Sequence, residues 1–191
     1  MNKSHISLAG RFFGSAIKSV KSAAVLLLCA AGLPLAAQAG ADERAPDLST
    51  VCSSLTVPEG NKVCFHVYAV GVQIYRWNGS AWAFVAPVAV LYANEDHDGE
   101  VGTHFVGPTW ESNSGSMVVG VRSVGCTPDT TAIPWLLLQT VSADGPGIFH
   151  RVTYIQRVNT VGGVAPSVPG TSVGEEAQGP YTAEYYFYRA E

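Results

Sequence analysis

From residue 62 to the end, short apolar runs alternate with clusters of glycine, proline, asparagine and aspartate, and no segment repeats its apolar positions with a helical period. Residues 62–77 are rich in valine, isoleucine, phenylalanine and tyrosine, and Gly71 interrupts them. They predict one bent strand or two. Asn78-Gly79 follows between strand-like flanks and predicts a hairpin with a type I′ turn, because both residues tolerate positive φ. Residues 81–86 are the returning strand, and 88–93 the next one after Pro87. An acidic turn spans 94–99. Strands are expected over 100–106 and 116–124, with another starting at 109–111. Residues 133–142 are strongly apolar, and the centre Trp135-Leu136-Leu137-Leu138 predicts burial on both faces. A long strand covers 148–159. Residues 160–180 carry five glycines and three prolines, which predicts a long loop and a candidate lid. Residues 181–189 close the chain as a strand whose Tyr185-Tyr186-Phe187-Tyr188 has large residues on both faces. Nine or ten short strands with turn residues between them predict a single all-β domain, an antiparallel sandwich or flattened barrel.

The first 39 residues have a different pattern. Lys3, Arg11, Lys18 and Lys21 precede an apolar stretch over 23–37, and Ala37-Gln38-Ala39 has the small residues of a cleavage site. That is the layout of a secretory signal peptide, so the product is expected outside the cytoplasm, in the periplasm or beyond. The apolar stretch is short and broken by Gly32 and Pro34, so no membrane span is expected. The mature chain begins near Gly40. Residues 40–60 are polar and aperiodic and read as an extended arm, leaving 61–191 for the β domain.

Removing the signal shifts the charge. All 15 acids but only 7 of the 11 lysines and arginines follow residue 39, for a mature net charge of −8. No basic cluster survives, which argues against a nucleic-acid partner. Cys52, Cys64 and Cys126 remain, enough for one disulfide and one thiol. Export permits the bridge. Cys52 to Cys64 is the shortest closure, but spacing leaves the pairing open.

The densest chemistry lies over 102–111, where His104, Trp110 and Glu111 flank the sharp Gly107-Pro108 turn. An imidazole beside a carboxylate can do acid–base work, and an indole can stack on a ligand. The plainer reading is a strand corner with Trp110 as a core plug. Gln73 shares a strand face with Tyr75 and Trp77, and Gln156 with Tyr154, while Arg157 points the other way. Polar side chains among large apolar ones must be satisfied internally or face a cavity. The turn 94–99 resembles the first half of a calcium loop, but Phe105 stands where a bidentate glutamate is needed, and it reads as a solvated turn. The histidines are scattered, no G-x-S-x-G occurs, and no metal or other cofactor is expected.

Five segments together resemble a known family. They are 71–76 (GVQIYR), 102–110 (GTHFVGPTW), 133–138 (IPWLLL), 152–157 (VTYIQR) with Asn159-Thr160 and Gly162-Gly163, and 181–189 (YTAEYYFYR). In this order they are similar to an exported family of bacteria and fungi classed as a domain of unknown function, number 3455. The resemblance covers the chain from about Pro58 onward and implies no activity. Some fungal members carry a malate dehydrogenase label, which these residues do not match, since no strand, G-x-G-x-x-G turn and helix follow one another here. The expectation is therefore a pocket for a small or saccharide ligand, lined by Gln73, His104, Trp110, Trp135 and Gln156. A hydrolase or lyase using His104 and Glu111 comes second, and a structural or envelope interaction protein third. The sequence is silent on oligomeric state.

Overall fold

A computed structural model describes residues 43–48 and 50–191. The expected export signal lies outside them. The β domain is one antiparallel sheet of eight strands in sequence order: β1 (Asn61–Trp77), β2 (Trp82–Tyr92), β3 (Glu100–Phe105), β4 (Thr109–Ser112), β5 (Met117–Cys126), β6 (Trp135–Asp144), β7 (Val152–Gly162) and β8 (Glu176–Ala190). Each strand pairs with the next. β8 returns to β1 along almost its whole length, from Asn61 opposite Ala190 to Arg76 opposite Glu176. The sheet is thus a closed up-and-down barrel with no free edge strand. Among the described residues no helix is long and apolar enough to cross a membrane.

Alternation along the strands sorts the side chains. Val67, Ala69, Leu91, Trp110, Val118, Leu138, Ile155, Tyr185 and Phe187 form the main buried cluster, inside the ring. One end is plugged by Phe65, Phe149 and Phe187, whose ring centroids lie 4.8–6.1 Å apart. Phe149 and Phe187 are fully buried, and truncating either to alanine costs about 3–5 kcal/mol by the usual cavity reckoning.

The N-terminal arm covers the outside of the ring. Leu48, Cys52, Leu55 and Val57 pack on Trp135, Leu137, Tyr154 and Tyr188. Cys52 is joined to Cys126 at the end of β5. This is not the shortest closure available to the sequence, and Cys64 remains a thiol that donates to the Phe187 carbonyl. The arm explains why β6 is apolar on both faces: Leu136 and Leu138 face the interior, while Trp135 and Leu137 lie under the arm.

The all-β antiparallel reading holds, with the ring closed. The strands are fewer and longer than predicted. β1 runs unbroken through Gly71, where a Cβ would sit 2.1 Å from the Val88 carbonyl oxygen, so glycine is what lets β2 approach. β2 runs straight through Pro87, which pairs with Gln73. β3 pairs with β2 only from Ala89 onward, so one side of Pro87 needs no donor. The hairpin at Asn78-Gly79 is present but is not type I′. Four residues connect the strands, and Asn78 Oδ1 accepts from the Ser80 amide, the Ser80 hydroxyl and the Ala81 amide, so only Gly79 takes positive φ. The long loop shrinks to 163–175, because β7 extends to Gly162 and β8 begins at Glu176. It is pinned rather than free: Trp82 Nε1 donates to the Val168 carbonyl and Tyr75 Oη to that of Gly163.

The disulfide closes a separation of 74 residues, so its removal releases substantial unfolded-chain entropy. Replacing both Cys52 and Cys126 by serine is expected to lower the urea unfolding free energy by about 2–5 kcal/mol. It should also expose the arm to proteolysis while the β circular-dichroism signal persists. An unchanged free energy would show that the arm is held without the bridge.

Candidate functional site

The end of the barrel opposite the phenylalanine plug is not filled. A cavity of about 430 Å³ opens there, within the range typical of small-molecule sites. All eight strands contribute to its walls. Gln73 and Tyr75 stand on β1, Pro87 on β2, Leu136 and Leu138 on β6, and Arg157 on β7. Phe84, Val85 and Arg122, all exposed, reach its lining from the rim, with Gly107 and Pro108 of the β3–β4 turn. That turn has three residues, with Gly107 at φ 101° and Thr109 Oγ1 donating to the Val106 carbonyl, so it is tight enough to bring β4 directly back along β3.

This return places His104 opposite Trp110. Their rings stack at 4.3 Å and 9° between planes, and Tyr185 meets both edge-on, at 5.2 and 5.4 Å. Trp110 also touches Phe187 of the plug, edge to face at 6.0 Å. The tryptophan is only 1% exposed, so it forms the wall between plug and cavity rather than an open stacking platform.

His104 Nδ1 lies 2.8 Å from the Thr109 carbonyl, which can only accept, so Nδ1 carries the hydrogen and Nε2 is an acceptor. Burial drives the imidazole pKa down from 6.5 to about 3, partly offset by the hydrogen bond to Thr109, and the nearby Arg157 charge lowers it further. The ring is therefore neutral through the physiological range. Glu111 pairs in register with Thr103, one position out of step with His104, so alternation sends its carboxylate to the opposite face of the sheet. The acid–base pair suggested by the sequence is not assembled, because an even spacing is needed to share a face and this spacing is odd.

Three buried polar atoms of the cavity walls make no hydrogen bond of good geometry within the chain: Gln73 Nε2, Trp110 Nε1 and Tyr185 Oη. Tyr181 Oη also makes no bond of good geometry, but it lies close enough to Gln73 and Tyr185 to interact with both, so these three groups partly serve one another and Trp110 Nε1 is the atom left without any neighbour of this kind. A buried bond of this kind left unmade costs about 1–3 kcal/mol, so groups placed on a cavity wall are positioned to bond to whatever fills the cavity, water included. Arg157 is 9% exposed. Its Nε and Nη2 donate to the Pro134 carbonyl at 3.1 and 2.8 Å, and no carboxylate among the described residues pairs with it.

The five residues expected to share a pocket separate into two groups. Gln73, His104 and Trp110 line the cavity. Trp135 and Gln156 stand on the outer face, where Gln156 Nε2 donates to the Leu55 carbonyl at 2.7 Å and Gln156 Oε1 accepts from Tyr188 Oη. Gln156 thus serves to fasten the arm. Its neighbour Arg157 is the one that turns inward. The sequence alternation divided Gln156 from Arg157 correctly, but which of the two faces the interior depends on the arm, whose docking carries no periodic signal. The loop 163–175 contributes nothing to the cavity lining and so does not act as its cover.

A family model described as a protein of unknown function, DUF3455, matches residues 58–189. The chain belongs to the DUF3455 family. No curated protein and no solved structure matches it. The DUF3455 span contains every residue of the cavity and Cys126 but stops short of Cys52, so only one end of the covalent clamp on the arm falls within it.

A histidine kept neutral by burial makes folding pH-dependent. Because its folded pKa is below the unfolded value, the unfolded chain takes up a proton between pH 6.5 and 3 that the native chain refuses, and stability is lost as pH falls through that window. By about pH 4.5 the loss amounts to about 2–3 kcal/mol. Denaturation of the wild type and His104→Asn at pH 7 and 4.5 is expected to show a drop smaller by that amount in the variant. Equal drops would mean that His104 titrates normally.

Proposed function

We propose that the chain is an exported binding protein that holds one small, largely apolar ligand inside the barrel. The observation that carries this reading is the cavity with Gln73 Nε2, Trp110 Nε1 and Tyr185 Oη at its walls, none of them in a hydrogen bond of good geometry. Ligand sites have this make-up: mostly apolar walls with a few fixed polar groups that orient the guest. Eight-stranded up-and-down barrels also have the width at which an interior either fills with side chains or admits one small molecule, and here it does each at a different end. Export is supported by the N-terminal pattern of basic and apolar residues and by the Cys52–Cys126 bridge, a feature of oxidising compartments. An enzymatic role has no comparable support, since His104 is buried, neutral and separated from Glu111.

The test is a thermal-shift screen of residues 40–191 against sugars, phenolics, fatty acids and sterols. A true ligand at one hundred times its Kd adds about 2.7 kcal/mol, roughly 5–10 °C in Tm for a domain of this size. Leu136→Trp, which pushes an indole into the cavity, is expected to abolish that shift while leaving the unliganded Tm within a few degrees. A ligand whose shift survives Leu136→Trp binds elsewhere, and a screen without hits overturns the reading.

A further inference from the structure

We propose that the cavity selects organic anions, molecules with one carboxylate-type head on an apolar body, and that Arg157 holds the head. This rests on the ligand-binding reading and deepens it. Two guanidinium groups, Arg157 within and Arg122 at the rim, contribute to the lining, and no aspartate or glutamate does. In a mature chain of net charge −8 such a lining is against the trend of the molecule as a whole. The imbalance is deepest where burial is greatest, since Arg157 is 9% exposed and its two recorded bonds go to one neutral carbonyl, that of Pro134.

A buried cation without a counter-charge is expensive. Holding the Pro134 carbonyl does not require it, because an amide donor does the same at no charge. A guanidinium has five N–H donors in a planar fork, and the Pro134 carbonyl engages only Nε and Nη2. Nη1 has no acceptor among the described residues, and the fork is suited to the two oxygens of a carboxylate. Around it, Trp110 Nε1 is a donor without an acceptor in the chain, and Gln73 Nε2 and Tyr185 Oη have only the Tyr181 hydroxyl nearby, so these donors outnumber the one acceptor that neutral His104 offers at Nε2. His104 does not oppose an anion, since its ring is uncharged. The remaining walls, Leu136, Leu138, Pro87 and Phe84, match an apolar body.

The experiment is isothermal titration calorimetry of the mature protein with matched probes: decanoate, decanamide and decyltrimethylammonium for an aliphatic body, and 4-phenylbutyrate with its amide for an aromatic one. At least one acid is expected to bind ten or more times tighter than its amide, and the ammonium not at all. Arg157→Gln, which keeps a donor for Pro134, is expected to remove that preference while changing amide binding less than threefold. Arg157→Lys should restore part of it. Should Arg157→Gln fail to fold, Arg122→Gln at the rim is expected to weaken the acid alone by a few-fold. Amides that bind as tightly as the acids would overturn the anion proposal and leave the ligand-binding reading intact. If these probes and the thermal-shift screen both give nothing, the two fall together.

Discussion

Closure of β8 onto β1 is the constraint from which the rest follows. Fifteen registered pairs join the two longest strands, and they turn a meander into a ring whose circumference is set by eight strands. Once the ring is closed, its interior volume is fixed, and only the inward side chains decide whether it is solid. At one end three phenylalanines meet across it. At the other, glutamine, tyrosine, proline and arginine stand where further aromatics would be needed to fill it. Trp110 divides the two regimes, touching Phe187 on one side and stacking on His104 on the other. The cavity is thus a consequence of ring size combined with a polar choice of side chains at one end.

The outer surface is governed by a separate attachment. The arm, clamped by Cys52–Cys126 and by the bonds of Gln156, buries one outer flank of the barrel and leaves the opposite flank, with Val72 and Val88, to solvent. β6, β7 and β8 are therefore apolar on both faces for two unrelated reasons, the interior on one side and the arm on the other. A mutation at Trp135 or Tyr188 acts on arm docking, whereas one at Leu138 or Tyr185 acts on the cavity, although the residues lie within one strand of each other.

Much of this was legible in the sequence, because strand alternation is a local property. The approximate strand positions, the sharp turn at Gly107-Pro108 and the double burial of residues 135–138 follow from period-two patterning and turn chemistry. Gln73, His104 and Trp110, singled out as polar or indole groups on apolar strands, lie together at one cavity. What could not be read is long-range. Whether Gln156 or Arg157 looks inward depends on where the arm lies. Pro87 reads as a strand break until the end of β3 beside it is known. Glu111 seemed close to His104 because the two flank one turn, but the register separates them by a sheet's thickness.

The central claim is that the polar wall groups are completed by a guest molecule. The most direct measurement is a high-resolution crystal structure of the protein expressed from its full-length sequence and purified without organic additives. The account expects continuous density inside the barrel in contact with Gln73, Trp110, Tyr185 and Arg157, too extended for solvent. Discrete waters that satisfy all four groups, with the remaining volume empty, would contradict it.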